Sequence, residues 1–397
     1  MTRINKDPLN HSLNAHFREL AGFSSSSEME KSELYKILKP EIERVLESIE
    51  LGIPSSKPSP PGHKFIRATA WNIERGNAFE GLLNILSSHP DIKNSDVFLI
   101  TELDHGMIRS ENRHVARELS DALNLNSVFA TSYINLEKGS GLEIKAEGEN
   151  QESLHGNALF SPHPVEHPFI VRLVNGKDKM KGKEKRLGSQ AAVGATIQHP
   201  SGPFRAVSIH LDPHASQGHR ADQMEMILDH IGRMSPQIPV LLGGDWNTTT
   251  YNAKNAFSSI MSYCKQILMG ARNVIQNHFP NPDIYFEKKL FQLLERRDYN
   301  YRELNVPGGC TLHYSVEDIA ANGGLADWVP FWCFWFINWT LAGRGGQCSV
   351  KLDWFAGKNI APHNSRSCRI ANDVHDRKNP LSDHDPIILD FQLKQDS

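Results

Sequence analysis

Cysteine is scarce: Cys264, Cys310, Cys333, Cys348 and Cys368 are the five in 397 residues, and no two form a Cys-x-x-Cys pair. An odd, unpaired set of this kind argues against a disulfide scaffold and a structural zinc finger. Charge of one sign is missing as well. Lys and Arg number 43 against 46 Asp and Glu, a net of −3, which excludes a wholly basic, nucleic-acid-coating surface but leaves room for a local patch. The N-terminal stretch, residues 1–30, has no apolar core of roughly 7–15 residues, so no secretory signal is expected. Repeats are absent too. With 39% hydrophobic and 22% charged residues the chain is neither disordered nor an integral membrane protein. A soluble, cytoplasmic globular protein is expected.

What is present divides near residue 63. Residues 1–62 read as an N-terminal helical extension with a linker. A polar arm ends at Ser24–Ser27, and Pro40 opens a second helix whose stripe is Ile42, Val45, Leu46 and Ile49. Pro54 to Gly62 holds four prolines in nine residues, a stiff connector. Residues 63–397 alternate between the two kinds of periodicity. Strands are expected at 65–72, 97–101, 157–160, 191–197, 204–211, 240–243, 350–355 and 387–391, and amphipathic helices at 112–123 and 220–231. Runs such as Val97-Phe98-Leu99-Ile100 and Val240-Leu241-Leu242 suit strands buried on both faces. The implied class is a layered α/β sandwich.

Polar residues stand where these strands end. Asn72 and Glu74 close the first, Glu102 the second, and His210 with Asp212 the fifth. Asp245 and Asn247 follow Leu241-Leu242-Gly243-Gly244, Asp353 lies in Leu352-Asp353-Trp354, and Asp383 and His384 precede the last strand. One such residue is usually a turn former. Six groups at six strand ends point to a cleft, because α/β sheets bind ligands beyond their strand ends. The chemistry is coherent. Carboxylates at Glu74, Glu102 and Asp383 suit Mg²⁺ or Mn²⁺. His384 suits a base that deprotonates water, with Asp353 the candidate to orient it, and His210 suits a donor to charge developing on phosphorus.

Together these stretches resemble the endonuclease/exonuclease/phosphatase superfamily of metal-dependent phosphoesterases. The matching residues are Trp71-Asn72-Ile73, Glu102, Gly156-Asn157-Ala158-Leu159-Phe160-Ser161, Ser208-Ile209-His210-Leu211, Gly244-Asp245-Trp246-Asn247, Leu352-Asp353-Trp354 and Ser382-Asp383-His384. The resemblance implies a four-layer α/β sandwich, two mixed β-sheets flanked by helices with the site at one edge. It implies a phosphoester hydrolase, expected to be a phosphodiesterase, in which a water activated by His384 and Asp353 attacks phosphorus in one step. Glu102 would be the principal metal ligand, beside Asp383 and Glu74. Asp245 and Asn247 would hold water, leaving group or a phosphate oxygen, and His210 and Asn72 would stabilise the transition state. Asn157 is carried over as a substrate-binding residue. Thr101 departs from the glutamine many members have there, and Glu74 replaces a frequent aspartate, lengthening that arm by a methylene.

A rival reading takes His210, Asp212 and His214, with His219, as a zinc-hydrolase site; a third reading is an inactive binding module. Arg109, close to Glu102 in sequence, is a candidate phosphate clamp. The lysine-rich stretch from Arg172 to Arg186 suits a solvated loop or an electrostatic guide for an anionic substrate. Trp328, Trp332, Trp335 and Trp339 share one helical face in the uncharged run 328–342. That run reads as a buried or lid helix, a membrane-surface element or a substrate wall, and it is too short to span a bilayer. Nucleic acid and phospholipid both remain open as substrates, peripheral membrane contact stays possible through 328–342, and no protein partner can be inferred.

Overall fold

A computed structural model describes residues 3–394 except 55, 57, 59, 61, 63, 140, 142, 183, 249–260, 262–263, 267, 316–346, 365–366 and 376–379. The tryptophan run 328–342 therefore lies outside the described residues. Numbered along the chain, the strands form two large sheets and one small one. The first sheet runs β1 (Arg3–Asn5), β2 (Ser48–Gly52), β5 (Asn126–Asn135), β6 (Leu154–Ser161), β4 (Val97–His105), β3 (Ile66–Arg75), β17 (Ile387–Leu393) and β15 (Ile360–Pro362). Two short strands join it off this path, β8 (Arg186–Gly188) on β5 and β16 (Cys368–Ile370) on β17. The second sheet runs β14 (Asp353–Lys358), β11 (Val240–Asp245), β10 (Gly202–Ser208), β9 (Ala191–His199) and β7 (Val165–Arg172), and β12 (Leu312–Ser315) pairs with β13 (Gln347–Val350). Both large sheets mix parallel and antiparallel pairs, and the parallel ones, β1–β2, β3–β4 and β10–β11, are bridged by helices.

Side-chain alternation builds the layers. Val97 and Leu99 point into the core between the sheets, where Ala195, Ala206, Leu241 and Leu389 meet them. Phe98 and Ile100 point the other way, against Leu82 and Leu119 of helices Phe79–Ser88 and Val115–Leu123. Across the second sheet, Val240 and Leu242 meet Met224 and Leu290 of helices Gln217–Arg233 and Lys288–Arg296. The order is helix, sheet, sheet, helix, the four-layer sandwich.

Several local expectations change. Pro40 does not open a helix; it lies inside one continuous helix, Glu33–Leu46. Ile49 is not the end of that helical stripe but sits in β2, opposite Ala130 of β5. The N-terminal segment is thus more than helical: it adds two strands to the first sheet, and Leu13, Leu20, Ile42 and Val45 share a core with Ile134, Leu154 and Met180. The run expected as one strand at 350–355 is two, broken at Lys351, whose N–H bonds Phe279 O as the chain passes from the small sheet to the second large one. β7 escaped the sequence reading because Pro168 lies inside it; the strand is at a sheet edge and bulged between Glu166 and Phe169, where proline is tolerated.

Candidate active site

Two neighbouring strands break register at one level. The β3–β4 ladder shifts between Asn72 and Arg75, and the β4–β6 ladder between Ile100 and Leu103. Within these bulges Glu74, Arg75 and Glu102 take positive φ, 45°, 69° and 58°. A bulge re-aims the side chains it carries, and here the two bulges turn Glu74 and Glu102, on neighbouring strands, out of the sheet's alternation. The second sheet meets this edge through Gly243-Gly244-Asp245. Gly244 has φ of 132°, and a Cβ there would stand 2.3 Å from Ile209 O, so only glycine lets β11 carry Asp245 this close to the strand end of His210.

Asn72 ties the sheets together. Its Nδ2 donates to Glu102 Oε1 at 3.2 Å and to Asp245 Oδ2 at 3.1 Å. His210 Nε2 lies 3.7 Å from Glu102 and 3.5 Å from Asp245, with Gln190 near its other ring nitrogen. From the opposite side His384 Nε2 lies 3.6 Å from that same Asp245 oxygen and 4.0 Å from Asp383, while its Nδ1 meets Asp353 Oδ2 at 2.7 Å. Backbone contacts fix the His384 loop: Trp71 Nε1 donates to His384 O at 2.7 Å, and Ser382 Oγ bonds Asn72 O while accepting His384 N–H. Asp383 N–H donates to Glu74 Oε2 at 3.2 Å. Asn157 Oδ1 accepts the Glu102 N–H, and its amide donates to Ala191 O. Asn72, Glu74, Glu102, His210, Asp245, Asp353, Asp383 and His384 thus meet in one place.

Electrostatics separates the carboxylates. Burial pushes Glu74 up to about 7, with the Asp383 charge adding to it. Burial likewise raises Asp383, and pushes Asp245 to about 6 against the pull of His384. Glu102 goes the other way: burial opposes its charge, but His210 and Arg75 overcome that and hold it at about 2. His384 is disfavoured as a cation by burial, yet Asp353, Asp245 and Asp383 raise it well above the ordinary imidazole range.

Three sequence candidates are placed differently. Arg109 is no phosphate clamp: its side chain is 2% exposed and makes two bonds to Asp104, 2.7 and 3.0 Å, plus an ion pair with Glu184. The acid five residues earlier, near the end of β4, claims it. Asn247 Nδ2 donates to Leu211 O and its N–H to Asp245 Oδ1, so it organises the turn around Asp245. The zinc donors do not converge. Asp212 accepts from Gly176 N, His214 N and Lys179 Nζ, His219 bonds Val174 O, and His210 faces the other way, toward Asp245. The lysine-rich stretch is also partly spoken for, with Lys179 on Asp212 and Lys185 on the Ala21 and Phe23 carbonyls.

Among the described residues, two further carboxylate–histidine groups lie outside this cleft, Glu50 with His105 and His114, and Asp96 with His163 and His199. In each, one imidazole Nδ1 accepts a backbone N–H, from Arg117 to His114 and from Ser201 to His199. That leaves the proton on Nε2, directed at the carboxylate, which suits a buried hydrogen-bonded pair rather than a metal ligand. Residues with no sequence motif also serve the cleft, namely Gln190 beside His210 and Thr311 beneath Asp353.

No family model matches the chain, and no curated protein matches it. Solved structures do. The chain is similar in structure to endonuclease/exonuclease/phosphatase proteins. One, from Beutenbergia cavernae, is 15% identical, with 84% of this chain and 72% of that one covered and a TM-score of 0.48. A family protein from Leptotrichia buccalis is 12% identical, with 83% and 100% covered and a TM-score of 0.44. The human Nocturnin catalytic domain is 14% identical, with 85% and 96% covered and a TM-score of 0.40. These are likenesses of fold; the roles of the side chains rest on the distances above.

Proposed function

We propose that the protein hydrolyses phosphoesters, phosphodiesters by preference, with a divalent cation held at Glu102, Asp383 and Glu74. The observation that carries this reading is the sharing of one carboxylate by two imidazoles. His384 and His210 both point Nε2 at Asp245 Oδ2, at 3.6 and 3.5 Å, and His384 is held from behind by Asp353 at 2.7 Å. A small polar group placed among them meets a proton acceptor on one side and donors on the other.

The donor set fits a hard cation. Glu74, Glu102 and Asp383 offer oxygens only. Burial and mutual repulsion raise Glu74 and Asp383, the behaviour of carboxylates that gain from nearby positive charge. A bound Mg²⁺ or Mn²⁺ would polarise a phosphoryl oxygen.

The rest is done by the chain. Asp353 holds His384 with Nδ1–H directed at Oδ2, so Nε2 in its neutral form accepts a proton from water. Asp245, 3.6 Å from that nitrogen, would hold the water or the leaving oxygen. His210 Nε2 donates toward charge building on the phosphoryl oxygens, and Asn72, with its two amide protons on Glu102 and Asp245, keeps those carboxylates in place around it.

Turnover of bis-p-nitrophenyl phosphate, duplex and single-stranded DNA, RNA, sphingomyelin and inositol phosphates, with Mg²⁺ or Mn²⁺ and with EDTA, tests the proposal. Expected is metal-dependent release from at least one diester, lost in His384→Ala. Silence across the panel, or equal rates in EDTA, overturns it. The DNA, RNA and sphingomyelin arms distinguish a nucleic-acid substrate from a lipid headgroup.

A further inference from the structure

Thr311 follows Gly308-Gly309-Cys310 and belongs to no catalytic motif. It is fully buried, and all of its polar groups are spent on the residues around His384 and Asp353. Its N–H donates to Val350 O at 2.9 Å, and its carbonyl accepts the Asp385 N–H at 2.7 Å. Leu312, the next residue, pairs with His384 as an antiparallel bridge. The Thr311 hydroxyl oxygen accepts the N–H groups of Leu352 and Asp353, each at 3.2 Å, and donates to Asp353 Oδ2 at 2.6 Å.

A hydroxyl has two lone pairs and one proton. With two N–H groups on the oxygen, the proton has one direction left, toward Asp353. The oxygen it reaches is the one that receives His384 Nδ1–H, while among the described residues no donor meets the buried Oδ1. Asp353 is therefore held by two donors on one oxygen, and without the hydroxyl only the His384 Nδ1–H bond opposes rotation of its carboxylate about the Cβ–Cγ bond.

We propose that Thr311 is a positioning residue for the His384–Asp353 pair: its hydroxyl locks the Asp353 carboxylate in the rotation that presents Oδ2 to His384. The inference rests on the reading of that pair as the water-activating base. A serine keeps the lock and a valine removes it at equal volume.

The experiment is steady-state kinetics on the diester that the wild-type chain turns over. Thr311→Val should lower kcat about 10- to 100-fold, the loss of one hydrogen bond to a charged group, with KM within about threefold. Thr311→Ser should return kcat to within about threefold of wild type. In an Asp353→Asn background Thr311→Val should change kcat by less than about threefold, because the group it positions is already gone. If the valine chain fails to fold, Thr311→Ala enters the same comparison. Wild-type kcat in the valine or alanine variant, or an undiminished effect in the Asp353→Asn background, overturns the inference. The two readings fail separately: a wild-type rate in His384→Ala sinks the base itself, whereas normal Thr311 variants beside a dead His384→Ala sink only the lock.

Discussion

Replacing Asp353 by asparagine removes a charge and little else. Asp353 Oδ2 and His384 Nδ1 are 2.7 Å apart, and their side chains are 0% and 4% exposed. At an effective dielectric of about 20, a carboxylate and the imidazolium formed as water gives up its proton attract by about 6 kcal/mol. An asparagine oxygen still accepts the Nδ1–H bond, which recovers about 1 kcal/mol. The asparagine amide also competes to face His384 with its NH₂, which favours the wrong imidazole tautomer. A net loss of about 4–5 kcal/mol corresponds to about 10³- to 10⁴-fold in kcat. The assay is metal-dependent hydrolysis of bis-p-nitrophenyl phosphate at saturating substrate, with a thermal melt on the same preparation. A kcat within about threefold of wild type in a folded Asp353→Asn protein would refute the reasoning.

Glu102→Gln should abolish the rise in melting temperature on adding Mn²⁺ and right-shift the metal dependence of turnover; an unchanged titration removes Glu102 from the ligand set. Glu50 is held at about 2 because His105 and His114 together outweigh the burial that opposes its charge. A depressed acid stabilises the fold above its unfolded value, near 4.5, and that contribution, about 3 kcal/mol, fades as pH falls from there toward 2. The melting-temperature gap between wild type and Glu50→Gln should therefore be wide at pH 7 and close between pH 4.5 and 2; a gap constant over that range contradicts it. Gly244→Ala should destabilise by about 3 kcal/mol or more, since its Cβ would meet Ile209 O at 2.3 Å and its φ is 132°. A wild-type denaturation midpoint would show that β11 relaxes at no cost.

Much of the layered fold was legible because the chain obeys one rule many times: an apolar run ends in a polar residue at the same edge. Val97 to Glu102, Phe204 to Asp212 and Val240 to Asn247 all follow it, while Ser382 to His384 stand just ahead of the last strand. Pairing is what the pattern could not supply. Ile42, Val45, Leu46 and Ile49 fit a helical spacing to the last member, and only the hydrogen bonds of β2 to β5 make Ile49 a strand residue. Asn72 bonds groups 30 and 173 residues away, a link that no local spacing announces. The bulges at Glu74 and Glu102 were equally hidden, since a positive φ at glutamate leaves no mark in sequence. Thr311 went unnoticed for a related reason: a lone threonine beside two glycines looks like turn chemistry until Asp353 closes on it. Arg109 misled in the opposite way, its nearness to Glu102 outweighing the nearer claim of Asp104.

Anomalous diffraction from crystals soaked in Mn²⁺ addresses the central claim most directly, because it locates a cation without reference to any substrate. The account predicts a peak bonded to a Glu102 carboxylate oxygen at roughly 2.0–2.2 Å, with Asp383 or Glu74 beside it. A peak only at Glu50, His105 and His114 or at Asp96, His163 and His199, or none in a crystal whose protein turns over substrate with Mn²⁺, would contradict it.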